Sequence, residues 1–233
     1  MKELKNPIQY KVTLDEDQKK VKEAIYSSQI VVITGAAGSG KSLVVANTVL
    51  DMLFKEVAFE VYVTRPAIEV GKTLGFLPGE LSNKFDPYIE AFRDNLYKCY
   101  DENKVNMHLS HLEGGDENKD KKAQKKSKIT GMPIQYIRGK TFDSGQILVV
   151  EEAQNLSVHE MEAILTRLGK GGKIIINGDN NQNDTGQTYT GLSLAIDLAK
   201  NIEGIEWFKL KSNHRSELVG KILDYIHKGK TEE

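Results

Sequence analysis

The stretch IVVITGAAGSGKSLVVANTVL, residues 30–50, decides the reading of this chain. A β-prone run, Ile30 to Thr34, leads directly into Gly35, Ala36, Ala37, Gly38, Ser39, Gly40, Lys41 and Ser42, and an apolar helical pattern from Ser42 to Leu53 follows. The eight central residues match G-x-x-x-x-G-K-[ST] in the strand-to-helix context that this phosphate-binding motif requires. The chemistry needs these residue types at these places. Glycines let backbone N–H groups turn toward phosphate oxygens, and the helix N-terminus adds positive potential. Lys41 is then the cation for the β- and γ-phosphates, and the Ser42 hydroxyl is a ligand for Mg²⁺.

Four further runs are apolar and β-rich: Val57 to Thr64, Gln146 to Val150, Lys173 to Asn177 and Trp207 to Leu210. The central runs lack polar alternation, as expected of strands buried on both faces of a parallel sheet. Amphipathic helical patterns lie between them. Thr13 to Glu16 (TLDE) and Ser157 to Glu160 (SVHE) fit the capping box. Asp86 before Pro87 opens another helix, whose stripe of Ile89, Phe92, Leu96 and Cys99 makes the cysteine a small core residue. This alternation predicts one three-layer α/β domain over residues 1–233 with a mainly parallel sheet. Glu113 to Lys128 (EGGDENKDKKAQKKSK) has no large apolar residue and reads as a polar, lysine-rich surface loop at about 113–129. No internal repeat occurs at periods of about 20–50 residues.

A P-loop also requires a carboxylate for its metal at the end of a neighbouring strand, and ILVVEEAQN at 147–155 supplies two adjacent acids. Glu151 is the candidate metal residue. Glu152 is the candidate base for the attacking water, because alternation along an extended strand end aims the two side chains differently. The run KIIIN is followed by Gly178, Asp179 and Gln182, and the Gln182 amide is suited to sensing a γ-phosphate because it both donates and accepts. A GTPase reading fails. The NKFD at 83–86 precedes the acidic strand, no Asp is followed by Gly three residues later, and Asp86 is better explained as the helix start before Pro87. A phosphotransferase remains a weaker alternative, since paired acids favour hydrolysis over transfer to an acceptor.

Composition bounds the remaining choices. The 233 residues, 39% hydrophobic, suffice for one sizeable core, and 32 basic against 33 acidic residues leave no whole-molecule basic field, so any nucleic-acid surface is local. The single Cys99 closes no intrachain disulfide and makes no zinc site, which fits a reducing cytoplasm. No apolar stretch approaches the roughly 18 residues of a membrane span, and the start has no signal-peptide core, so neither insertion nor export is expected.

The order of motifs is itself specific: Gln18 in a helix ahead of GAAGSGKS, then VTRPAIEVGKTLGFLPGEL at 63–81, YIRGKTF at 136–142, VVEEAQN, GDNNQND and HRSELVGKILDYI at 214–226. From about Thr13 to Ile226 the chain resembles the PhoH family, RecA-like P-loop ATPases related to superfamily 1 helicases. Its brevity is similar to that of the short phage-encoded members, which would place it in a host cytoplasm. The resemblance implies ATP and Mg²⁺, with Gln18 in the position of an adenine-reading glutamine and Arg215 contacting the γ-phosphate. It departs from the family where Glu151 stands in place of the usual Asp, and where Arg215-Ser216 stands in place of an Arg-His pair.

Helicases of superfamily 1 close their ATP site between two RecA-like lobes of about 150 residues or more each, which this length cannot hold. The expectation is therefore a homo-oligomer, a ring, in which Arg138 or Arg215 of one subunit reaches the phosphates of the next. The same resemblance implies RNA or single-stranded nucleic acid as partner, bound near the loop after the second strand, with Arg65 and Lys72 as phosphate contacts. The lysines from Lys119 to Lys128 would add salt-dependent affinity. The alternative to a motor or remodeller is a nucleotide-dependent binding switch with little turnover.

Overall fold

Apolar runs that lack polar alternation must be covered on both faces, and the sheet places them accordingly. The computed structural model describes residues 8–66, 86–106 and 128–212, together with His214, Leu218, Val219 and Tyr225. Its strands are β1 (Ile30–Gly35), β2 (Glu60–Thr64), β3 (Lys128–Gly131), β4 (Gln146–Val150), β5 (Lys173–Gly178) and β6 (Ile205–Leu210). They form one six-stranded sheet in the order β3-β2-β4-β5-β1-β6, with every neighbouring pair parallel. The expected three-layer α/β fold is thus observed, with a sheet that is wholly parallel among the described residues.

The helices are α1 (Glu16–Ser27), α2 (Lys41–Phe54), α3 (Asp86–Cys99), α4 (Glu102–Asn106), α5 (Ile134–Ile137), α6 (Val158–Leu165) and α7 (Gly191–Asn201). Successive strand residues point to opposite faces. Val31, Ile33, Val61, Val63, Ile147, Val149 and Ile175 therefore join one buried cluster with α1, α2, α3 and α4. Ile30, Val32, Leu148, Val150, Ile174 and Ile176 join another with α5, α6 and α7. In α3 the predicted stripe holds, with Ile89, Phe92, Leu96 and Cys99 all buried, and burial pushes the Cys99 thiol up to about 11. That removes it as a reactive thiolate at neutral pH.

Three expectations need correction. The first capping box is not at Thr13 but two residues later. Asp15 accepts from the Gln18 backbone N–H at 2.8 Å, and Gln18 Oε1 accepts from the Asp15 N–H at 3.1 Å. A sixth strand, β3, takes up the end of the stretch read as a polar loop; residues 113–127 lie outside those described. Ile129, fully buried, gives that strand its hydrophobic anchor, and pairing with β2 satisfies its backbone. The strand limits also shift, because β2 begins at Glu60 rather than Val57 and β6 at Ile205 rather than Trp207. The box at Ser157 and Glu160 is formed as expected.

Candidate nucleotide site

A parallel sheet gathers its loops at the carboxyl ends of the strands, where ligands of open α/β folds bind. The order β4-β5-β1 brings together three such ends, those carrying Glu151, Asn177 and the P-loop. They border a cleft of about 350 Å³ lined by residues 37–43 of the P-loop and α2 except Ser39, by Glu151 and Glu152, by Asn177, Gly178, Asp179 and Gln182, and by Asn95 and Lys98 of α3.

The loop between β1 and α2 is shaped by close approaches. Gly40 has φ 82°, in the left-handed region, and a Cβ there would collide with the Gln18 amide. Only glycine fits that position. Lys41 folds back over the loop and donates to the carbonyls of Gly35 at 2.7 Å and Ala36 at 3.1 Å. Its ammonium is thus held above the backbone that would cradle phosphates.

At the first turn of α2 the Ser42 hydroxyl donates to Glu151 Oε2 at 2.7 Å. Asn177, the last polar residue of β5 before Gly178, donates to the same oxygen at 3.0 Å and to Ser42 Oγ at 3.2 Å. The other carboxylate oxygen, Oε1, is buried without a hydrogen-bond partner. Burial pushes the Glu151 carboxyl up to about 7; the neighbouring Glu152 charge adds to this, while Ser42, Asn177 and Lys41 oppose it. An acid so raised, with one buried oxygen unsatisfied, is an incomplete electrostatic site. A hydroxyl and a carboxylate side by side are hard oxygen donors of the kind Mg²⁺ takes when phosphates supply other ligands. Among the described residues no cluster of three His, Cys, Asp or Glu offers an all-protein metal cage. The residues present therefore fit a cation shared with a bound phosphate.

Glu152 does not continue the strand, so strand alternation is not what aims its side chain. Its φ of 55° and ψ of 40° put it in the left-handed region, and this turn rather than the β pleat separates its exposed side chain from Glu151. A non-glycine residue held there is strained, a feature that clusters at functional sites. Gln182 lines the cleft, exposed, with its Nε2 donating to Asp179 Oδ2 at 2.8 Å.

The remaining expected residues fall in different places. Gln18 is buried beneath the P-loop and outside the cleft lining, its Oε1 taken by the capping box and its Nε2 3.3 Å from His214 Nε2. His214 in turn donates its backbone N–H to the Gly38 carbonyl at 2.9 Å. Arg65 is half-buried just past the end of β2. Arg138 is exposed after α5, and its carbonyl accepts from Arg167, the residue whose own carbonyl accepts from the Phe142 N–H. That segment lies at the amino ends of β4 and β5, so Arg138 is at the opposite end of the strands from its own P-loop. Lys72 and Arg215 lie outside the described residues. The sequence reading missed Asn177, Asn95 and Lys98 as cleft residues. A polar residue closing the otherwise apolar run KIIIN was the available signal for the first, whereas nothing local marked the other two.

A P-loop turned by glycine, a lysine over it, and a serine bonded to an acid from another parallel strand define the RecA-like P-loop fold. The fold is shared with a large terminase from a thermophilic bacteriophage, at a TM-score of 0.55 and 12% identity, over 91% of this chain and 50% of that one. The sequence model of the family described as "PhoH-like protein" matches residues 12–227. A PhoH-like protein of Mycobacterium tuberculosis is 36% identical over 212 residues, 89% of this chain and 55% of its own length. One from Bacillus subtilis is 32% identical over 214 residues, 91% of this chain and 62% of its own. The chain belongs to the PhoH-like family and spans somewhat more than half the length of these relatives. Among the described residues no helix is long and apolar enough to cross a membrane.

Proposed function

We propose that the protein binds ATP with Mg²⁺ and hydrolyses it, and that turnover drives an oligomeric motor or remodeller acting on RNA or single-stranded nucleic acid. The observation that carries the hydrolytic reading is the hydrogen-bonded Ser42–Glu151–Asn177 cluster lining the cleft with Lys41, with Glu152 turned out into the same cleft. Backbone N–H groups of residues 37–42 and the Lys41 ammonium bind the β- and γ-phosphates. Ser42 and Glu151 would hold Mg²⁺, which would supply neutralisation of the charge on those oxygens. Glu152 takes a proton from water as the water oxygen bonds to the γ-phosphorus. The bond from that phosphorus to the β–γ bridging oxygen breaks, leaving ADP and phosphate. Gln182 donates to a γ-phosphate oxygen and thereby distinguishes ATP from ADP.

Among the described residues the cations of the cleft are Lys41 and Lys98. An arginine from a neighbouring subunit would add to that charge, and Arg138, near the amino ends of β4 and β5 and so far from its own P-loop, is a candidate for it. Arg65, at the carboxyl end of β2, supports a phosphate-backbone contact beside the ATP cleft.

The test is ATP turnover per subunit with Mg²⁺ across a wide range of protein concentration, for the wild type and Glu152→Gln. The expected result is specific activity that rises steeply with concentration, and a variant that binds nucleotide but loses hydrolysis by on the order of 10²-fold or more. Unchanged turnover in Glu152→Gln removes it as the base. Flat, appreciable wild-type activity removes the shared site.

A further inference from the structure

The turn after Glu152 carries a glutamine that neither the phosphate cradle nor the Ser42–Glu151 pair uses. Gln154 is 1% exposed, yet its amide is fully occupied. Its Nε2 donates to Glu152 Oε2 at 2.6 Å and to the Gln182 carbonyl at 3.2 Å, and its Oε1 accepts from the Asp179 backbone N–H at 3.0 Å. These partners settle which end of the amide is which. A carboxylate and a carbonyl only accept and an N–H only donates, so the flipped amide would set oxygen against oxygen and N–H against N–H.

The surrounding backbone is fitted to this side chain. A Cβ on Gly178 would lie 2.8 Å from Gln154 Oε1 and 2.7 Å from a Leu192 methyl, so a larger residue there would have to displace the Gln154 amide and Leu192. Asn155 adds a second tie, its Oδ1 accepting from the Asp184 N–H at 2.9 Å. The 3-10 turn Ala153–Asn155 is therefore clasped to the 179–184 loop on both sides of Gln182. A left-handed glutamate such as Glu152 persists only where its surroundings over-determine it, and the bond from Gln154 is one such restraint.

We propose that Gln154 is a positioning residue that fixes Glu152 in its productive orientation and ties it to the Gln182 loop, so that the group activating water and the group sensing the γ-phosphate are held as one unit. This rests on the roles given to Glu152 and Gln182 under Proposed function. Gln154 does not line the cleft. It acts by geometry, and a misplacement of about 1 Å at a reacting group costs on the order of 10²-fold in rate.

Gln154→Met keeps the length of the side chain and removes both donors. The expected result is affinity for a fluorescent ATP analogue within about twofold of wild type, KM unchanged, and kcat lower by on the order of 10–100-fold. In a Glu152→Gln background the same change should lower turnover no further, because the two residues act as a unit. Equal loss of affinity and kcat, or a full additional loss on top of Glu152→Gln, would mean a general structural role and overturn the proposal. So would wild-type kcat in Gln154→Met alongside a dead Glu152→Gln, whereas wild-type turnover in Glu152→Gln itself overturns the base assignment. Should the methionine variant not fold, amide hydrogen exchange in the wild type decides. Residues 152–155 and 179–184 should gain protection together on adding a non-hydrolysable ATP analogue, and protection of one segment without the other sinks the coupling.

Discussion

Two carboxylates, one buried and one half-buried, stand at the two ends of α2, and the fold treats them in opposite ways. Asp51, near the C-terminal end, is 3% exposed and fully satisfied. Its Oδ1 accepts from the Tyr10 hydroxyl at 2.7 Å, and its Oδ2 accepts from Tyr26 at 2.7 Å and Lys55 at 2.8 Å, with Lys22 at 3.2 Å. Burial works to raise its pKa, but the bonds from Lys55, Tyr10 and Tyr26 and the Lys22 charge outweigh it and hold the group below the ordinary carboxylate range. Glu151, against the N-terminal end of the same helix, has hydroxyl and amide donors on one oxygen and none on the other, and is pushed up to about 7. The first network is complete within the chain. The second is completed only by something brought from outside, and this difference separates a structural acid from a site acid.

The largest effect is expected at the complete network. Asp51→Ala would leave two lysines and two tyrosines without their shared carboxylate, and removing one partner of a buried ion pair costs about 4 kcal/mol. In a chain of this size that lowers Tm by about 8–16 °C. Turnover per folded molecule at low temperature should survive, because Asp51 lies far along α2 from Ser42. A thermal melt with an unchanged midpoint would show that the network contributes no stability and break the comparison.

A smaller effect, of opposite sense, is expected at Glu151. Its folded pKa of about 7 lies above the ordinary 4.5, so between those values the folded protein binds more protons than the unfolded chain. Stability of the nucleotide-free protein is therefore highest below about pH 4.5 as far as this group is concerned, and is lost as pH rises toward 7. The loss should be on the order of 2–3 kcal/mol. Urea titrations of the wild type and Glu151→Gln at several pH values isolate it. The wild type should lose ground to the variant as pH rises, and parallel curves would mean that the carboxylate is solvated rather than poised for a cation.

What was legible from sequence was whatever is encoded in a short window. The P-loop, the acidic strand end and the α3 stripe ending at Cys99 each carry their pattern within about a dozen residues, and each stands where it was expected. β3 was not legible, because Lys128–Gly131 has one large apolar residue, follows a run of lysines, and owes its strand character to pairing with β2. The first helix start was misplaced for a related reason. TLDE and DEDQ both fit a cap locally, and the second is used where Gln18 also packs beneath Gly40 and beside His214. Asn177 and Gln154 gain their roles only when β4 and β5 meet in register. Arg138 shows the same limit, since no local feature says at which end of the strands a loop residue will lie.

The finest test removes one donor from each carboxylate. Tyr10→Phe takes away a single hydroxyl from Asp51, which keeps three other partners, and a lost hydrogen bond of this kind costs about 1 kcal/mol, or about 2–4 °C in Tm. Asn177→Ala takes away the amide that opposes the upward shift of Glu151. The carboxyl then holds its proton more tightly, and a divalent cation must displace that proton to bind. A penalty of the same size, about 1 kcal/mol, appears there as an approximately fivefold rise in the Mg²⁺ concentration needed for half-maximal turnover. The two substitutions remove similar bonds, yet one is read in the melting curve and the other in the metal titration. If Asn177→Ala shifted only Tm and left the Mg²⁺ dependence in place, the Ser42–Glu151 pair would be a structural contact like the one around Asp51.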